Sequence, residues 1–178
     1  SLRIYQFWKN KAAMIQYKNL ILICAFVSMN LKANAQDWSW AKTATNQSEA
    51  GSRAIITDKD GNSYITGNFL GINMFLDNIQ LSSHSISRSF IFVAKYDSSG
   101  NAIWANCGGS PSGNHWDYGN GIALDGNGKC YVAGSFADTL VYGYDTLLNS
   151  GSDDVFIARF DTSGSLMWLR KGGGIGTD

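Results

Sequence analysis

Three tryptophans, Trp40, Trp104 and Trp168, follow one another at intervals of 64 residues, and the last two close matching phrases. Phe92 to Trp104 reads FVAKYDSSGNAIW, and Phe156 to Trp168 reads FIARFDTSGSLMW, with residue type kept at almost every step. A period of this length marks a repeat architecture, in which each unit buries its apolar faces by stacking on the next. The period constrains the fold far more tightly than it constrains any ligand.

The N-terminal region reads differently. Residues 1–13 precede Met14 and are expected to be upstream read-through. Residues 14–35 carry a basic start, the apolar run Leu20 to Val27 and the exit Ala33-Asn-Ala35, the pattern of a secretory signal peptide. That run falls short of the roughly 20 apolar residues of a membrane-spanning helix, so no span is expected in the mature chain. All 14 acidic residues lie from Asp37 onward, while five of the 14 basic residues precede Gln36. The mature part is therefore acidic, which argues against sequence-independent nucleic-acid binding. A secreted or cell-surface location follows from the leader.

From residue 36 to 178 no apolar period of 3.6 residues is sustained, and short alternating runs bounded by Gly, Asn, Asp and Ser take its place. They come in pairs. Arg53–Thr57 matches Asn120–Leu124, and Ser63–Phe69 matches Cys130–Phe136. Phe90–Tyr96 matches Val155–Phe160, and the segments ending at Ala105 and Leu169 form a fourth pair. Four strands per unit of this length is the content of one β-propeller blade. The reading is all-β: an incomplete propeller with four-stranded antiparallel blades at about 45–109 and 110–173. Asp37-Trp-Ser-Trp40 aligns with the fourth strand of a unit and is expected to be an orphan strand. The Gly-rich end from Gly172 resembles the lead into another unit, so the chain reads as a piece of a longer array.

Alternation within the third strands puts Phe92, Ala94 and Tyr96 on one side and Ile91, Val93 and Lys95 on the other. Phe156, Ala158 and Phe160 oppose Val155, Ile157 and Arg159 in the same way. Both sides are largely apolar, which predicts a strand covered on both faces. Gly67 and Gly134 recur inside the second strands, where glycine marks the close approach of a neighbour.

The phrases Gly121-Ile-Ala-Leu-Asp125, Gly128-Lys-Cys-Tyr-Val-Ala-Gly134 and Val155 to Asp161 with Trp168 resemble those of SBBP-type bacterial β-propeller repeat proteins. The first unit departs from that pattern at Arg53-Ala-Ile-Ile-Thr-Asp58. The resemblance implies an exported or surface scaffold with no shared enzymatic activity. Ala94 to Trp104 is also similar to the tryptophan-docking repeat of quinoprotein propellers, with a shorter Asp-to-Gly spacing and Ser99 in place of Thr.

No catalytic, cofactor-binding or metal-binding residue is assigned from spacing. Asp58, Asp60 and Asn62 could open a calcium loop, but no downstream acid follows, and a tight turn explains them directly. Asp97 and Asp161 read as turn residues followed by Gly100 and Gly164. His84 and His115 lie in polar loops without partners at metal spacing. His115-Trp116-Asp117-Tyr118 is an aromatic loop that either packs or stacks on a sugar ring. Cys107 and Cys130 fall at non-repeating positions, either as free thiols or as a disulfide that export permits. The leading reading is an exported non-catalytic scaffold for adhesion, recognition or assembly, binding protein or glycan. The alternative is a fragment of an exported propeller enzyme, quinoprotein or carbohydrate-active.

Overall fold

A computed structural model describes residues 39–46, 48–83, 87–111 and 116–176. The proposed leader, Asp37 and Trp38, and both histidines lie outside the described residues. Every described element is a strand, and all strand pairs of the sheets are antiparallel.

The expected strand pairs are all present. The first unit forms a four-stranded sheet from β2 (Ala50–Thr57), β3 (Ser63–Leu70), β6 (Ser89–Tyr96) and β7 (Ala102–Gly108), ordered β2-β3-β6-β7. The second repeats it with β8 (Tyr118–Leu124), β9 (Cys130–Phe136), β12 (Asp154–Phe160) and β13 (Leu166–Gly172), hydrogen-bonded as β8-β9-β12-β13. Short turns at Asp58–Asn62, Asp97–Asn101, Asp125–Lys129 and Asp161–Ser165 join neighbouring strands, each closed by two backbone hydrogen bonds, from the Asp N–H to the last carbonyl and from the turn glycine N–H to the Asp carbonyl.

Each unit also holds a hairpin between its second and third long strands. These are β4 (Asn73–Leu76) with β5 (Ile79–Ser82), and β10 (Thr139–Tyr142) with β11 (Asp145–Leu148). The four-strand expectation did not include them. They tie units together. Val141 of the second hairpin bridges Gly109 in the tail of the first sheet, and the Tyr142 ring lies against Gly108. The same relation recurs one period earlier, where β1 (Thr45–Asn46) pairs with β4 through Thr45↔Phe75 and Asn46↔Met74. The segment from Trp40 to Asn46 therefore meets the first unit as the end of β7 meets the second. The ladder of the expected orphan strand is confined to Thr45–Asn46, and Ser39 and Trp40 carry no strand pairing.

The indoles lie in matching surroundings. Trp40 Nε1 donates to the Ser98 carbonyl at 3.2 Å, its ring stacks on Tyr96 at 6.1 Å, and it lies over Gly100. Trp104 Nε1 donates to the Thr162 carbonyl at 3.2 Å, stacks on Phe160 at 6.4 Å, and lies over Gly164. A Cβ on either glycine would sit 2.5–2.6 Å from the indole, and both glycines have positive φ. Glycine is thus required twice over, for the turn and for the docking ring. Trp168 keeps the edge-on contact to its own sheet, with Tyr131 at 6.1 Å and 70°, as Trp104 does with Tyr64 at 6.0 Å and 72°.

The core follows this stacking. One cluster lies between the units and joins Tyr64, Ile91, Val93 and Trp104 to Val132, Phe136, Phe156 and Phe160. A second, around Phe69, Met74, Phe90, Phe92 and Tyr96, lies on the opposite face of the first sheet. Gly67 and Gly134 meet a backbone neighbour as expected. A Cβ at Gly67 would fall on the Gly51 carbonyl oxygen, and one at Gly134 on that of Tyr118. The neighbour is the first strand of the same sheet, which bulges at Arg53 and Asn120.

Candidate functional site

The conserved grammar of the two units spends its aspartates on turns. Asp58 Oδ1 accepts the N–H groups of Asp60 at 3.0 Å and Asn62 at 2.9 Å, and Oδ2 accepts the Asn62 amide at 2.9 Å. Asp125 repeats this with Asn127 and Lys129, both at 2.9 Å. Asp97 accepts from Ser99 and Asn101, and Asp161 from Ser163 and Ser165. Backbone and side-chain donors from Asn101 hold Asp97 below the usual carboxylate range. The Ser163 hydroxyl and the Ser165 N–H do the same for Asp161. At Asp58 desolvation is the largest single influence and raises the value, but the hydrogen bonds from Asn62 and Asp60 and the charge of Lys95 together outweigh it. These are capped Asx turns, each with its Oδ1 committed to two backbone N–H groups.

Between the Asp58 and Asp125 turns lies a cleft of about 570 Å³, reaching Lys95 and Thr162. A second cleft of about 310 Å³ runs beside Trp40 against Ile55, Ile65, Phe92 and Tyr96. Among the described residues, no three of His, Cys, Asp and Glu converge as metal ligands. Cys107 and Cys130 are free thiols. Burial pushes Cys130 up to about 12 and Cys107 to about 11, so neither is a thiolate nucleophile at neutral pH.

The chemistry-bearing exception to the repeat is at the start of β8. Trp116 is 45% exposed and stacks nearly parallel on Tyr118, with ring centroids 6.3 Å apart and planes inclined by 14°. The guanidinium of Arg53 lies 4.1 Å from the Tyr118 ring centre, and its Nε donates to Asn68 Oδ1 at 3.0 Å. Arg53 reaches that position because it is the extra residue of the β2 bulge, a device that redirects a side chain. Register places Glu49 and Gly51 of the first unit at the positions of Trp116 and Tyr118, so the first unit has no such stack.

The backbone beneath the stack is firmly held. Asp117 is fully buried, and its carboxylate accepts Ser110 N–H at 2.8 Å and Ala137 N–H at 3.3 Å. Its carbonyl accepts the buried Ser89 hydroxyl at 2.8 Å, and Trp116 bridges Ser89 through the backbone. Asp117 thus packs while the Trp116 ring beside it projects. Arg53 was missed as a member. Its one sequence signal is the break in the Gly-led phrase at that position.

No protein-family profile and no curated protein sequence matches the chain. Among the described residues no helix is long and apolar enough to cross a membrane.

Proposed function

We propose that the chain is an exported, non-catalytic β-propeller segment of the SBBP type that presents loops for recognition or assembly at or beyond a bacterial cell surface. The observation that supports this reading is the pair of matching indole clamps, Trp104 from the first sheet on the second and Trp40 from the preceding segment on the first, which follow one repeated rule. Stacking of that kind is how propellers and solenoids bury units that cannot stand alone. The recurring polar residues are consumed by turns, and the residues left to vary lie in loops on a rigid frame, where recognition is usually carried.

The reading is tested by expressing the chain with its own N-terminus in a bacterial host and sequencing the exported product. A protein outside the cytoplasm that begins at Gln36, and leaves offered oligosaccharides unchanged in mass, supports it. Retention of an uncut chain in the cytoplasm overturns the export, and turnover of an oligosaccharide overturns the non-catalytic role.

A further inference from the structure

The geometry points to a carbohydrate-binding platform formed by Trp116 on Tyr118, braced by Arg53; this inference rests on the recognition reading above and gives it a ligand class. The argument begins with what an exposed indole needs in order to bind. A sugar ring offers an apolar face of C–H groups, which the negative face of an indole attracts while water is expelled from both. That contact is productive when the ring is held still, because ordering a loose side chain would offset the gain.

Here the ordering is built in. The tilt of the Trp116 ring is set by its offset, near-parallel contact with Tyr118. Tyr118 is fixed in turn by the Arg53 guanidinium at 4.1 Å, a cation–π contact that also secures the arginine. The backbone below is locked through Asp117, Ser89 and Ser110. Around the aromatic pair, Arg53 and Asn68 from the neighbouring unit supply planar hydrogen-bonding groups of the kind that pair with hydroxyls.

Two features favour a saccharide over a peptide. A flat ring flanked by amide and guanidinium groups suits a flat polyhydroxylated ring. The stack is also peculiar to one unit, whereas residues serving sheet-to-sheet packing, such as Tyr64 and Tyr131, recur in both. A stack needed only for the fold would be expected in each unit.

The test uses the purified exported protein on an array of immobilised neutral and acidic oligosaccharides, followed by calorimetry with any that is retained. Trp116→Ala is expected to weaken that binding about tenfold or more, with unchanged far-ultraviolet circular dichroism and thermal midpoint, and Trp116→Phe to retain part of it. In the unmodified protein, the retained saccharide is expected to protect Trp116 from oxidation, as mapped by peptide mass spectrometry. That second readout does not depend on any variant folding. Three results overturn the inference: no saccharide retained, a retained saccharide that binds Trp116→Ala equally and leaves Trp116 unprotected, or capture of peptides through Trp116 in place of sugars. Each of these leaves the exported scaffold reading standing. A saccharide bound through Trp116 and then cleaved would instead overturn the non-catalytic role and keep the site.

Discussion

The third strands of the two units are nearly the same sequence in two different situations. Ile91 and Val93 in β6 are wholly buried, whereas their counterparts Val155 and Ile157 in β12 are 41% and 46% exposed. On the other face the strands agree, since Phe92 and Ala94 are as buried as Phe156 and Ala158. The difference is the neighbour. The second sheet covers Ile91 and Val93, and among the described residues no sheet covers Val155 and Ile157. Fully burying a side chain of this size is worth about 1.5–3 kcal/mol. The outward face of the second unit therefore carries the residues of an interface without its stabilisation. Apolar patterning reports what a strand is built to meet, and burial reports what it has met.

The sharpest way to break this comparison is to truncate the two indoles. Trp104 is 8% exposed and clamped between sheets, so Trp104→Ala is expected to cost about 3–5 kcal/mol in urea unfolding. Among the described residues the one ring contact of Trp168 is with Tyr131, and Trp168→Ala is expected to cost about 1 kcal/mol. Equal losses would mean that the neighbour contributes nothing. A smaller pair follows at the strands. Ile91→Ala should cost about 2–5 kcal/mol by removing packed core, and Ile157→Ala about 0.5 kcal/mol. A large loss at Ile157, read from the same unfolding curves, would show that its face is covered in solution.

The eight long strands, the turns between them and the close approach at Gly67 and Gly134 were legible because each depends on local pattern. Period-2 alternation, Asx turns and strand glycine act within a few residues. The hairpins at Asn73–Ser82 and Thr139–Leu148 were not. The apolar residues of β4, Met74 and Leu76, look like loop residues until the core that receives them is present. The double-sided burial expected of both third strands holds for β6 and fails for β12, because sequence cannot say where a stack is continued. Trp116 and Tyr118 were visible as an aromatic loop. Their brace was not, since Arg53 lies far away in sequence and reaches Tyr118 through a bulge that no local motif announces.

The smallest effect is expected where the units differ least. The Asp97 and Asp161 turns share their two backbone donors and differ in one side-chain donor, the Asn101 amide against the Ser163 hydroxyl, and each receives an indole from the preceding segment. Both carboxyls are held below their ordinary value, so near pH 4 the unfolded chain binds more protons than the folded one. Their contribution is complete above the unfolded value of about 3.9 and is lost as pH falls through the lower folded values. Stability should therefore rise with pH across that acidic window. Asp97→Asn and Asp161→Asn should each flatten the acid limb of thermal midpoint against pH, and to the same small extent. The equality is the informative part. If the Asp161 variant were consistently milder, the neighbour's influence would extend into the turns, and the contrast between the units could not be assigned to the sheet faces alone.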